Sequence, residues 1–296
     1  MRALTRRKKW ALTAIFGSAL TAVIVLCFIV AAWPVGWLRA ANGSHGGSAA
    51  RPPAGTLPRL RGVYRLAPGE AFALTVPVGA VDVATGPGRT VQVRVSFAGG
   101  HTVPAVGYHA ALARTRLIDS GTQGGVRRVV LAEPHFWFGV PSVRVSVRAP
   151  RGSSLILTDR VGRVRVNGTF SNLALHVRVG EVRARAGVQN RLSIQDNVGA
   201  VAFRGLPGRE SDIVANLGAV NVAVPVDIRL RIAVIADMGS IVDELPLHSA
   251  AQGGPSLSGD LNGRGPQRAL RIQADLGNVT LRAWAAHPAG GFAGAG

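Results

Sequence analysis

Apolar and polar residues alternate along much of residues 60–284, a pattern typical of β-strands with one buried face. The alternation recurs with a period that is marked by a glycine. These glycines are Gly162, Gly180, Gly199, Gly218, Gly239 and Gly277. Successive glycines are 18, 19, 19, 21 and 38 residues apart. Because the last spacing is twice 19, we expect one degenerate unit between Gly239 and Gly277.

Each unit carries apolar residues at the same distances from its glycine. The positions seven, five and one before it, and two and four after it, are apolar in all units except for Ser211 and Asp243. The fifth residue before the glycine reads Leu157, Leu175, Ile194, Ile213, Val234 and Ile272. Residues two apart share one face of a strand. Each unit is therefore predicted to be two short strands, with the glycine at a bend where a Cβ would be costly.

Two strands cannot cover their own apolar face, so the units must stack on one another. We predict an all-β fold, in which residues 151–284 form a β-solenoid of two-strand rungs of about 19 residues. The same unit occurs once earlier, around Gly79. Residues 60–150 otherwise hold ordinary alternating strands. We expect them to form a β-rich N-terminal cap, because a bare end would leave backbone groups unpaired.

A long uncharged run over residues 10–38 precedes the strands and follows a basic segment, residues 1–9. As a helix, its most apolar part is about 33 Å long, enough to cross a hydrocarbon core of about 30 Å. Positive charge is concentrated before the run, which places the N-terminus in the cytoplasm and the rest outside. We expect one transmembrane helix that contacts membrane lipid through residues 10–38, and hence a single-pass protein of the cell membrane with an extracytoplasmic C-terminal domain.

The alternative to a retained span is a cleaved signal peptide, whose apolar region should be about 7–15 residues long. The run seen here is far longer, which favours the anchor. Residues 39–59, rich in Gly, Ser and Pro, are predicted to be a linker. Residues 285–296 are predicted to be a disordered tail.

Composition agrees with a β-rich chain and excludes several classes of protein. The 38 Gly and 17 Pro residues among 296 argue against a helical bundle. The single cysteine excludes an internal disulfide framework and a thiolate zinc cluster. The seven histidines are scattered, so we expect no metal site, and no motif indicates a cofactor.

The formal charge is +19, and nearly all of the basic residues are arginine. Outward positions of the repeats carry five arginines that are expected to stack over three rungs. They are Arg163, Arg165, Arg183, Arg185 and Arg204. Such a stripe could hold a polyanion, because guanidinium pairs with phosphate through two hydrogen bonds. Outside the membrane the available partner is an anionic cell-envelope polymer, a lipid headgroup or a membrane protein, and nucleic acid is not expected. The alternative is a solvated surface whose arginines reflect composition alone.

A second candidate contact is the aromatic cluster Phe136, Trp137 and Phe138. It could be an exposed contact loop or a plug over the end of the solenoid.

The repeat resembles a known family. Residues 147–166, with Val161-Gly162-Arg163-Val164, and the later Val/Leu-Gly-x-Val units resemble the putative adhesin domain of bacterial envelope proteins. This is an uncharacterised family of β-strand repeats related to envelope stress-response membrane proteins. The family usually has Asp directly after the glycine, where this chain has other residues. The resemblance implies a β-repeat fold and no catalytic residues.

The function expected from the sequence is that of a non-catalytic interaction, adhesion-like or envelope-sensing module. The alternative is an envelope polysaccharide-processing enzyme. A retaining hydrolase would need two carboxylates about 5–5.5 Å apart. Glu181, with Asp196 one rung on, is the candidate pair.

Overall fold

The computed structural model describes residues 60–98, 113–132, 142–253 and 255–284, and the elements bounded within these ranges are all β-strands. In chain order the strands are β1 (Leu60–Arg65), β2 (Ala71–Gly86), β3 (Thr90–Ala98), β4 (Arg116–Gln123), β5 (Val126–Ala132), β6 (Ser142–Pro150), β7 (Ser153–Leu206), β8 (Glu210–Pro225), β9 (Ile228–Met238), β10 (Ile241–Glu244), β11 (His248–Gly253), β12 (Ser256–Asn262), β13 (Arg264–Leu276) and β14 (Val279–Trp284). All belong to one sheet that is not closed on itself, which confirms the all-β prediction.

The predicted membrane span, residues 10–38, lies outside the described residues. Among the residues that are described, no helix has the length and apolar character needed to cross a bilayer. The predicted linker and the predicted C-terminal tail also lie outside them.

The repeat unit around Gly79 pairs directly with the first unit of β7. The two strands are parallel, and their registers match position by position: Leu74 lies opposite Leu157, and Gly79 lies opposite Gly162. The glycines therefore meet at the same point of the sheet, as the spacing of the repeat predicts.

β7 is 54 residues long, and its later parts lie beside its earlier parts. A Cβ added to Gly180 would lie 1.7 Å from the carbonyl oxygen of Gly162, and one added to Gly199 would lie 1.7 Å from that of Gly180. The side-chain amide of Asn190 donates to the hydroxyl of Ser171, 19 residues earlier, at 3.0 Å. Successive passes of the chain therefore lie in contact, with their glycines aligned.

The C-terminal passes do not lie in chain order. β8 pairs in parallel with the end of β7, but its next neighbour is β13. Ile272 of β13 lies opposite Ile213 of β8 on one side and opposite Val234 of β9 on the other. The expectation of a degenerate unit between Gly239 and Gly277 is therefore wrong. That segment contains β11 and β12, antiparallel strands that extend the sheet beyond β9.

Strands of the predicted N-terminal cap pair with the edge of β2 that faces away from β7. Residues 71–75 of β2 pair with β5, and residues 80–86 pair with β6. β4 continues the sheet from β5, while β3 and then β1 continue it from β6. The backbone groups on this edge of β2 are thus paired along both of its halves. Left unpaired, they would form an exposed strand edge that favours aggregation.

The apolar column five residues before each glycine forms the core. Leu157, Leu175, Ile194 and Ile213 each have 0% exposure. The column three residues before the glycine is buried as well. It reads Val76, Asp159, Val177, Asp196, Ala215, Ala236 and Ala274. Two carboxylates therefore lie in a column that is otherwise apolar.

The residue directly before each glycine is apolar but lies at the surface. Val78, Val161 and Met238 are 52%, 46% and 65% exposed. Strict alternation would turn this position inward, in line with the buried positions three, five and seven before the glycine. The chain bends here, so that two neighbouring positions face outward and the alternation is broken.

Candidate functional site

The outward positions in the second half of each pass form a continuous surface, which we call the arginine face. Side chains directly opposite one another on neighbouring strands point to the same side of a sheet. Arg61 lies opposite Arg94, and Arg94 lies opposite Ser146. Ser146 in turn lies opposite Asp82, which lies opposite Arg165. The face thus runs from β1 through β3, β6 and β2 into β7.

The arginine face carries the five arginines predicted from the sequence, and more. The register places the following additional residues on it: Arg61, Arg94, Arg144, Arg148 and Arg282. In the described part of the face, the carboxylates at outward positions are Asp82, Glu181 and Glu244. The surplus of positive charge is therefore larger than the stripe predicted from the repeats.

The sequence reasoning missed Arg144 and Arg148 because they lie outside the repeat. The alternation within β6 shows that both point away from the buried residues of that strand. What it does not show is that β6 pairs with the second half of β2 and so extends the same face.

One carboxylate bridges two of the predicted arginines and offsets one of their two positive charges. Glu181 accepts from the Nε of Arg163 at 2.9 Å and from the Nε of Arg183 at 2.5 Å. Ion pairs at a surface contribute about 0–1 kcal/mol each. Their main effect here is to hold the two guanidinium groups on either side of one carboxylate.

The other three predicted arginines have no carboxylate partner among the described residues. Arg165 and Arg185 make no hydrogen bond or ion pair there. The guanidinium of Arg204 lies 5.3 Å from the centre of the Trp284 ring, a cation–π contact that leaves its charge uncompensated. These groups are the ones that an anionic ligand could reach without displacing a bound carboxylate.

Asp159 and Asp196 occupy equivalent positions in the buried column, with Val177 of the intervening pass between them. They are 0% and 2% exposed. Neither carboxylate makes a hydrogen bond of good geometry with a described residue. Burial raises the pKa of Asp159 to about 7, although the nearby backbone N–H groups of Val161 and Arg160 act to lower it. Burial likewise raises the pKa of Asp196 to about 6 against the N–H of Val198.

The carboxylate pair considered for an enzyme is not assembled. Glu181 lies on the outward face between two arginines, whereas Asp196 lies on the buried side of the sheet. Sequence reasoning expected Asp196 to lie near Glu181, one rung on. Its place three residues before Gly199, in phase with the buried Leu192 and Ile194, was the signal that it points inward.

The aromatic cluster Phe136, Trp137 and Phe138 lies outside the described residues, so its role as contact loop or plug stays a prediction. Within the described ranges, no group of three or more His, Cys, Asp or Glu side chains is arranged to hold a metal ion.

Comparison with known proteins gives structural neighbours but no family. No family model matches the chain, and no curated protein matches it. A "putative cell adhesion protein" of Clostridium sporogenes is similar at a TM-score of 0.42 and 11% identity, covering 77% of this chain and 100% of its own. A "putative adhesin" of Bacteroides fragilis has a TM-score of 0.29 and 9% identity over 76% of this chain and 98% of its own.

A third similar structure is a "putative lipid binding protein" of Parabacteroides distasonis, with a TM-score of 0.21 and 7% identity over 77% of this chain and 95% of its own. The names of the first two agree with the adhesin resemblance of the repeat motif. Because all three TM-scores are below 0.5, the structural likeness itself carries no argument about this chain.

Proposed function

We propose that this chain is a membrane-anchored, extracytoplasmic β-repeat protein that acts as a non-catalytic, adhesion-like interaction module. In this proposal the stacked passes are rungs of a β-solenoid. The arginine face is the contact surface, and an anionic polymer of the cell envelope is its partner.

The observation that carries the proposal is the surplus of arginine on one side of a regular sheet. Neighbouring strands lie about 4.8 Å apart, and side chains on one face recur about every 7 Å along a strand. A fixed lattice of guanidinium groups with this spacing suits a polymer that repeats its negative charge. Because the strands are hydrogen-bonded on both sides, binding would order side chains and not backbone.

Reversing the two unpartnered arginines is expected to weaken this contact. The double variant Arg165→Glu/Arg185→Glu of the full chain, in a neutral detergent, should bind poly(glycerol phosphate) at least about tenfold more weakly than the unaltered chain. Affinity of the unaltered chain should also fall steeply as salt is raised, since the Debye length shrinks from about 10 Å at 0.1 M to about 3 Å at 1 M. Isothermal titration calorimetry measures both.

The matched control is Arg229→Glu/Arg271→Glu, which makes the same change of charge at exposed positions of β9 and β13, outside the arginine face. An equal loss of affinity in this control would mean that net charge alone attracts the polymer, and the assignment to the arginine face would then be wrong.

A further inference from the structure

A second basic surface lies where the turns of the N-terminal strands meet. It is an open groove of about 890 Å³, within the size range of small-molecule sites. Three arginines from three separate segments line it: Arg65 at the end of β1, Arg89 between β2 and β3, and Arg151 between β6 and β7. We propose that this groove binds a sugar or polyol that carries a phosphate monoester.

The charge of the groove matches one such group. The three guanidinium groups make no ion pair with any described residue. The carboxylate in the lining is Glu70, which is already engaged by the backbone N–H of Ala67 and the hydroxyl of Thr122. The net charge of these lining groups is thus +2, and a phosphate monoester carries about −1.5 to −2 at pH 7.

The groove also offers hydroxyl groups as donors. The hydroxyl oxygen of Ser154 accepts the side-chain amide of Asn172 at 2.8 Å, and that of Ser171 accepts the amide of Asn190 at 3.0 Å. Each serine O–H therefore keeps its proton available to donate. Both serines line the groove. Hydroxyl donors beside the arginines suit a polyol, because its ring or chain oxygens can accept hydrogen bonds from them. They suit a bare inorganic ion less well.

Backbone hydrogen bonds hold the turn that carries Arg151 to the end of β2 and to β7, and another closes the turn before β2. The N–H of Arg151 donates to the carbonyl of Gly86 at 3.2 Å, and the N–H of Gly152 donates to that of Thr169 at 2.9 Å. The turn before β2 is closed by the N–H of Glu70, which donates to the carbonyl of Ala67 at 3.1 Å. The backbone of these turns is therefore ordered before a ligand arrives, which reduces the entropy lost on binding.

The test uses the full chain in neutral detergent, titrated with glycerol 3-phosphate and with glucose 6-phosphate. Binding should be at least about tenfold weaker in Arg89→Gln/Arg151→Gln, whose side chains are exposed and not needed for packing. Binding should also weaken as the pH falls from 7 to 5. In this pH range the phosphate monoester takes up a proton, near pH 6, and loses its second negative charge, while the arginines stay charged.

Two comparisons decide the outcome. Glucose without phosphate should not bind, and Arg229→Gln/Arg271→Gln, at exposed positions outside both the groove and the arginine face, should bind the sugar phosphates as the unaltered chain does. Unchanged binding in the Arg89/Arg151 variant would overturn the proposal, as would binding of inorganic phosphate as tight as that of both esters. Because the groove and the arginine face are tested by different variants and different probes, the proposed function and this inference can fail independently.

Discussion

Replacing Gly180 by alanine is expected to destabilise the protein by more than about 3 kcal/mol, and so to prevent stable folding at 37 °C. A Cβ at this position would lie 1.7 Å from the carbonyl oxygen of Gly162 and 2.8 Å from its carbon. Both are backbone atoms, held by strand pairing on either side, so they cannot move away as a flexible side chain could. The positive φ of 154° at Gly180 adds strain for any other residue. Thermal unfolding followed by circular dichroism measures the effect.

The matched control is Gly187→Ala, seven residues further along the same strand. A Cβ there would meet only a methyl group of Thr169, at the ordinary contact distance of 3.5 Å. We expect this variant to unfold within a few degrees of the unaltered chain. If Gly180→Ala were equally stable, the close stacking of glycines between successive passes would be refuted.

The second large expected effect is an unusual dependence of stability on pH. The pKa of Asp159 is raised to about 7 and that of Asp196 to about 6, against 3.8 as the ordinary value. The folded state therefore binds protons more tightly than the unfolded state. The stabilisation from these two groups is complete only below about pH 3.8, where both states are protonated. It is lost as the pH rises from about 4 through 6 and 7, above which the carboxylates are ionised in both states.

Other carboxylates have the opposite shift but act at lower pH. The pKa values of Glu70 and Asp119 are lowered, the first mainly by a hydrogen bond from Thr122 and the second mainly by one from Arg127. Their contribution is lost only as the pH falls below about 4. Between pH 5 and 8 the two buried aspartates should therefore dominate the slope.

The variant Asp159→Asn/Asp196→Asn removes both titrations at nearly constant volume. We expect it to flatten the pH profile between 5 and 8 and to stabilise the protein at pH 8 by about 1–3 kcal/mol for each aspartate. Denaturant unfolding at a series of pH values measures this. Asp237→Asn, at an exposed position, is the control and should leave the profile as it is. A profile that keeps its slope in the double variant would contradict the assignment.

Much of the arginine face could be predicted from the repeat. Once the glycines are aligned, Arg165, Arg185 and Arg204 fall on outward positions of consecutive units, and the structure places them on one face. Local alternation cannot predict which distant strands join that face. The contribution of β1, β3 and β6 depends on pairings between residues up to 64 positions apart, and these became visible only in the register.

The groove could not be predicted from the sequence for a similar reason. Arg65 ends β1, Arg89 and Arg151 are in turns, and the three share no column of the repeat. Turn residues follow no periodic pattern, so nothing local indicates that three such segments converge.

The sequence by itself determined the repeat, the glycine at each bend and the apolar columns that become the core, because a period of two along a strand and of about 19 between passes is local and regular. Only the tertiary structure decided the order of the last passes, in which β13 enters between β8 and β9. All units have the same apolar columns, so any two of them could pair in parallel almost equally well. The pattern alone therefore does not determine which units are neighbours in the sheet. The tertiary structure also decided that the bend turns Val161 outward while Asp159 stays inside, because a corner interrupts the alternation on which sequence reasoning depends.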